Sequence, residues 1–249
     1  MKLKNRIINN NYHYYRKAKR FYCFIISTIS VLAGLRTANY EYPPDDIIEI
    51  GFYDFDILLH VENKYRYLIN PDNLYEKGEY RNFKKNKVKL AYDGDILLIK
   101  KKFNGYRRFF ELDNEVRGLN KLSITGIVPS IKYVDYRNCT IFIEYIDGIN
   151  LSKGRKNIAC YFKANSSGIS EEIFSKVHEV HNKGIVLGDA STRNLILYDN
   201  DIYVIDFSEA VFFNNLSSLS GWKLHAFTAM KKDDLKKINN DINKILEKA

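Results

Sequence analysis

Only three cysteines occur in 249 residues, Cys23, Cys139 and Cys160, and no two form a Cys-x-x-Cys pair. Such spacing suggests neither a disulfide framework nor a cysteine zinc site, and a reducing compartment is the default. No internal repeat is present. No acidic residue precedes Glu41, whereas eight basic ones do: Lys2, Lys4, Arg6, Arg16, Lys17, Lys19, Arg20 and Arg36. Of the 39 Lys and Arg, 31 are then left against all 30 acidic residues, so the net charge of +9 belongs mostly to this arm. A basic arm of this kind attracts phospholipid headgroups, nucleic acid or an acidic partner.

The apolar run after the arm, Phe21 to Gly34 (FYCFIISTISVLAG), is shorter than the roughly 18 residues needed to span a bilayer. Three readings compete for it: a helix buried in the fold, a membrane-surface anchor, and the core of a signal peptide. A poor small-residue cleavage pattern weighs against the last.

What is present describes an ordinary globular protein, with 45% hydrophobic and 28% charged residues. Its length fits one large domain or two small lobes. Residues 1–40 read as mainly helical. Asp46 to Asn70 reads as two or three strands, set off by Pro43-Pro44 and Asn70-Pro71-Asp72-Asn73. KVKLAYDGDILLIKKKF predicts a hairpin turning at Asp93-Gly94. Apolar Phe109, Leu112, Val116, Leu119 and Leu122 recur at helical spacing. Thr140 to Tyr145 is a strand. Glu171 to Lys183 is a helix stopped by Gly184. Short strands at Ile185–Leu187 and Ile202–Ile205 flank a polar stretch, and Asp233 to Glu247 forms the last helix. Strands with one helix, a connecting strand, then helices around a small β element predict an α+β fold. Two lobes would enclose a cleft, the C-terminal one reduced.

The chemistry concentrates in HNKGIVLGDASTRNLILYDNDIYVIDFSEAV. Asp189 and Asn194 stand five apart in a loop between apolar strands, and Asp206 ends the next strand. Phosphoryl transfer needs a carboxylate to orient the attacking hydroxyl, and an amide oxygen with a second carboxylate to hold Mg²⁺ on the nucleotide phosphates. Hard oxygen ligands suit that ion.

With these residues the chain resembles the protein-kinase-like superfamily over about residues 79–245. The resemblance implies ATP and Mg²⁺ as cofactors. It makes Asp189 the catalytic aspartate, with Asn194 and Asp206 as metal ligands. Lys100, at the end of DILLIK, would grip the α- and β-phosphates with Glu115 as its helix partner. Glu144-Tyr145-Ile146 would form the hinge, where Glu144 and Ile146 offer backbone groups to adenine. By strand alternation Lys102 is the rival of Lys100. Residues 1–75 would then be an arm with extra strands, and 76–249 the kinase-like domain, with lobes at 76–143 and 147–249.

Nearest in pattern are lipopolysaccharide core heptose kinases, Rio kinases and the kinase subunit of the KEOPS tRNA-modification complex. Three departures stand out. No Gly-x-Gly-x-x-Gly covers the phosphates; the basic turn Phe83-Lys84-Lys85-Asn86-Lys87 takes its place. Ser191, at the nucleotide site, replaces the lysine found two residues after the catalytic aspartate in ordinary Ser/Thr kinases. The metal triplet reads Asp206-Phe207-Ser208, without glycine. Only about 40 residues follow it, too few for a large peptide-docking subdomain.

The leading expectation is an ATP-dependent kinase of a lipid-linked sugar, a core heptose. It would be cytoplasmic and held at the inner membrane face by residues 1–35, with Phe207, Phe212, Phe213 and Trp222 stacking on the sugar. A Rio-like or KEOPS-like kinase or ATPase is the alternative, the arm then meeting nucleic acid, and a pseudokinase scaffold is a third reading. His181 reads as support for the catalytic loop and not as a zinc ligand.

Overall fold

The computed structural model describes residues 87–93, 96–152 and 166–247, with the strand Ile48–Ile50 and the helical positions Phe21, Ile25 and Ile29. The rest of the helical reading of 1–40, and the strands expected after Ile50, lie outside the described residues. So do Pro43-Pro44 and the basic turn at 83–86.

Strands β1 (Ile48–Ile50), β2 (Lys87–Tyr92), β3 (Leu97–Lys102), β4 (Ile131–Asp135) and β5 (Thr140–Glu144) form one antiparallel sheet. Its order is β1-β2-β3-β5-β4. The expected hairpin joins β2 to β3, paired from Lys87↔Lys102 to Tyr92↔Leu97. Asp93 steadies the turn by accepting the Ile96 N–H at 2.9 Å. Helix α1 (Arg108–Leu122) lays Leu112, Val116, Leu119 and Leu122 into the core, where Phe103, Ile141 and Ile143 of the sheet meet them.

Beyond residues 145–148 come β6 (Ile149–Asn150), α2 (Ser166–Asn182), β7 (Ile185–Val186), β8 (Leu195–Tyr198), β9 (Asp201–Val204), β10 (Val211–Phe212) and α3 (Gly221–Leu246). Gly184 stops α2 as expected. Its φ is +72°, and an added Cβ would strike the Phe213 carbonyl. The result is a two-lobed α+β architecture with one large apolar core and smaller apolar clusters beside it.

Several elements differ from the sequence pattern. Strands β4, β6, β8 and β10 are additional, and β8 pairs with β9 from Leu195↔Val204 to Tyr198↔Asp201. Asp199 and Asn200 make a two-residue turn with φ of +48° and +64°, a geometry that matches the right-handed strand twist. Helix α3 begins at Gly221, not Asp233, because Phe227 and Met230 extend its apolar stripe onto Val186, Val211 and Phe213.

Phe207 is fully buried beside α1 at Gly118, where any Cβ would collide with its side chain. Gly118→Val should therefore destabilise the protein. Valine recovers under about 0.5 kcal/mol of helix propensity, whereas overpacking a filled core costs about 1–3 kcal/mol. The loss should appear as a lower urea midpoint with an unchanged slope. A variant as stable as the parent would mean that Phe207 does not rest on α1.

Candidate active site

Strand alternation decides which lysine enters the interior. Ile99, Lys101 and Phe103 share the face of β3 that meets α1. Leu98 and Lys100 face the opposite side, where Leu98 packs with Tyr133 and Phe142 and the Lys100 Nζ lies 5.3 Å from the Phe142 ring centre. Lys101 Nζ is 3.1 Å from Glu115 Oε1 and 2.8 Å from Asp206 Oδ1. The structure thus brings Lys101, and neither Lys100 nor Lys102, to Glu115 and Asp206. The apolar residue after the lysine run, Phe103, carried the parity signal.

The electrostatics of this group are strongly coupled. Burial alone would lower the Lys101 pKa, but the carboxylates of Asp206 and Glu115 outweigh it and hold the ammonium charged. Burial pushes Glu115 up to about 7, against the pull of Lys101. Asp206 is shifted down despite burial, because Lys101 and the Ser208 hydroxyl stabilise its anion. Glu115 also accepts the Phe207 N–H at 2.7 Å, tying α1 to the residue after Asp206. Asn114 donates to the carbonyls of Ser208 and Ala210, both at 3.1 Å. Arg107 grips Glu209 with Nη1 at 3.0 Å and Nη2 at 3.3 Å. Helix α1 is therefore stitched along the whole Asp206–Ala210 segment.

The β8–β9 hairpin explains how Asn194 and Asp206 come together. Its register pairs Leu195 with Val204, so the residues just outside both open ends are neighbours, and Ile205 N–H donates to the Asn194 carbonyl at 3.0 Å. Asn194 Nδ2 donates to the Asp189 carbonyl at 2.9 Å, fixing the amide against the loop. Asp206 adopts φ of +64°, a left-handed conformation rare outside glycine that clusters at functional sites. Its side chain is 37% exposed, and Lys101 and Ser208 both engage Oδ1. Among the described residues, Oδ2 is the oxygen left to meet a cation.

The loop before Asn194 is held from below by α3. Buried Asp234 accepts the N–H groups of Leu187 at 2.8 Å and Gly188 at 3.2 Å, and His181 Nε2 lies 3.2 Å from it. Lys237 donates to the Gly188 carbonyl at 3.3 Å. Asp241 accepts from the Ser191 hydroxyl at 2.7 Å and from Thr192 N–H at 3.3 Å. His181 thus supports the loop through Asp234. Sequence reasoning passed over Asp234, although it interrupts the apolar stripe Phe227, Met230, Ile238, Ile242, where a lone carboxylate demands donors.

The remaining expected residues fall as follows. Ser191 turns to α3, so its hydroxyl is committed to Asp241. Glu144 ends β5 with its carboxylate on the Ser130 N–H and hydroxyl, at 3.2 and 2.9 Å. Glu144 and Ile146 bracket the connection between the lobes, as a hinge would. Phe207, Phe212 and Phe213 are core residues, which removes them as sugar-stacking groups; Trp222 is exposed.

A sheet with one helix, joined through such a connection to a mostly helical lobe with this loop and hairpin, is the protein-kinase-like architecture. A family model described as the RIO domain matches residues 74–239, and the chain belongs to this family of atypical, kinase-like proteins. It is 31% identical over 112 residues to the KEOPS complex subunit Bud32 of Pyrococcus abyssi, covering 45% of this chain and 49% of that one. It is 30% identical over 106 residues to the lipopolysaccharide core heptose(II) kinase WaaY of Escherichia coli, covering 41% and 42%. The matches span half or less of the length of these curated relatives. A Rio2 kinase–ADP/Mg²⁺–phosphoaspartate complex from Chaetomium thermophilum aligns with a TM-score of 0.39 at 12% identity, over 80% of this chain and 71% of that one.

Removing either partner of the buried pair should be costly. Lys101→Met strands the buried Glu115, and such losses run to about 3–5 kcal/mol; Glu115→Gln leaves Lys101 its Asp206 partner and should cost less. The double variant should lose much less than the sum of the two single losses. Lys100→Met should stay near the parent in chemical denaturation. A Lys100→Met loss as large as that of Lys101→Met would reverse the strand parity.

Proposed function

We propose that this chain is an ATP-dependent phosphotransferase. The observation that carries the reading is the buried Lys101, clasped by Glu115 and Asp206 beside the Asp189–Asn194 loop. Lys101 holds the nucleotide phosphates, and Glu115 fixes its position. The backbone of Glu144 and Ile146 offers hydrogen bonds to adenine. Asp189, 45% exposed, orients the acceptor hydroxyl and takes its proton.

Mg²⁺ suits the donors present: the Asp206 carboxylate with its strained backbone and outward oxygen, and the Asn194 amide anchored through its nitrogen. Asn194 and Asp206 would hold the ion, which neutralises phosphate charge when bound. A scaffold without turnover has no use for a buried Lys101–Glu115 pair whose desolvation is expensive. That disfavours the pseudokinase reading.

For the acceptor we favour a protein partner, or water in an ATPase cycle, as the family and the Bud32 relative suggest. The sugar reading keeps one support, the heptose kinase relative, and has lost its aromatic stacking surface apart from Trp222. Among the described residues no helix is long and apolar enough to cross a membrane. Phe21, Ile25 and Ile29 are exposed one helical turn apart in the apolar run that follows the basic arm, which supports a peripheral contact with an anionic membrane. Salt-reversible binding of the full chain to anionic vesicles tests that contact.

The reading predicts that Asp189→Asn keeps Mg²⁺·ATP binding but loses turnover by about 100-fold or more. Labelled ATP should be supplied with tRNA-modification proteins, with truncated lipopolysaccharide, and with no acceptor. Label on protein, or phosphate release alone, is the expected result. Label confined to the lipopolysaccharide core would restore the sugar kinase. Failure of the full chain to bind Mg²⁺·ATP would refute the phosphotransferase.

A further inference from the structure

Between Asp189 and Asn194 the one cationic side chain is Arg193, and position 191, two residues after Asp189, carries no charge. Ser191 is uncharged, and its hydroxyl is spent on Asp241 at 2.7 Å. Two other cations touch the site from elsewhere. Lys101 is occupied by Glu115 and Asp206, and Lys237 spans the Gly188 carbonyl and Asp233. Arg193 differs from both. Its Nη2 lies 2.5 Å from Asp189 Oδ2, directly on the carboxylate assigned to the acceptor proton. The two side chains are 50% and 45% exposed, so the pair stands at the open face of the loop.

The backbone under Arg193 is anchored. It lies in the short 3₁₀ segment Thr192–Asn194. Its carbonyl accepts from Asn150 Nδ2 at 2.6 Å, and its N–H reaches the Ser191 hydroxyl at 3.4 Å. Only the side chain is positioned to change partners. An exposed ion pair of this kind is worth about 0–1 kcal/mol, so exchanging the carboxylate for a more highly charged oxyanion costs little. A guanidinium suits that exchange, because its planar fork matches phosphate oxygens in pairs.

We propose that Arg193 is a further catalytic residue, the cation that meets the transferred phosphoryl group from the acceptor side. This rests on the phosphotransferase reading above. In the step, the acceptor oxygen forms a bond to the γ-phosphorus, and the bond from that phosphorus to the bridging oxygen breaks. The electron pair leaves with ADP, and the acceptor proton passes to Asp189. Arg193 pairs with Asp189 beforehand, then shares its N–H groups with the phosphoryl oxygens as charge spreads over them. With water as acceptor the products are ADP and inorganic phosphate.

The test measures binding, not turnover. Calorimetry on the full chain compares Mg²⁺·ADP alone with Mg²⁺·ADP plus fluoroaluminate, which mimics the phosphoryl group in flight. The parent should bind the fluoroaluminate complex the more tightly. Arg193→Ala should lose at least about tenfold of that gain, with Mg²⁺·ADP affinity and unliganded melting nearly unchanged, and Arg193→Lys should recover part of it. If Arg193→Ala keeps the full gain, or the parent binds Mg²⁺·ADP but gains nothing from fluoroaluminate, the proposal fails while the phosphotransferase reading stands. A parent that does not bind Mg²⁺·ADP overturns both.

Discussion

An ammonium buried between two carboxylates is the constraint on which the rest of this structure depends. Lys101, Glu115 and Asp206 come from a strand, a helix and the end of a hairpin, far apart in sequence. Taking Lys101 and Glu115 out of bulk water, with Asp206 half-buried beside them, is unfavourable unless their geometry is held closely. The surrounding contacts supply that hold. Glu115 spends its second oxygen on the Phe207 N–H, Gly118 lets Phe207 approach the helix, and Asn114 and Arg107 secure the chain beyond. Loosening any of them exposes or strands a charge, so α1 and the segment after Asp206 behave as one unit.

A second support comes from the opposite direction. The Asp189 loop is irregular backbone with buried N–H groups, and such groups need acceptors. Asp234 gives two of them a carboxylate, Asp241 takes the Thr192 N–H about two turns further along α3, and the hairpin register joins Asn194 to Ile205. The loop is thus fixed by a helix beneath and a hairpin beside it, leaving the Asp189 and Arg193 side chains outward. Rigid backbone thus carries exposed charged tips.

What could be read from the sequence was what local spacing encodes. The Asp189, Asn194 and Asp206 pattern is carried by one short stretch, and the β2–β3 hairpin and α1 follow from turn chemistry and period. The lysine was misplaced by one residue because three lysines in a row hide the alternation; only Phe103 beyond them marks the inward face. Strand β8 was passed over because Asp199-Asn200 resembles generic loop until both are seen in the left-handed region. The aromatic group near Phe212 was assigned to a ligand although a core claims such residues more often. Asp234 was hardest, since its partners are backbone groups that no residue letter reveals.

The dependence of the loop on α3 also sets an order of events in synthesis. Asp189, Asn194 and Asp206 are translated before Asp234, Lys237 and Asp241, and chains begin to fold as they emerge from the ribosome. A nascent chain that already displays every reactive group still lacks the carboxylates that shape the loop. The loop therefore takes its shape late, when α3 docks, and on the phosphotransferase reading partly made chains would be spared futile consumption of nucleotide.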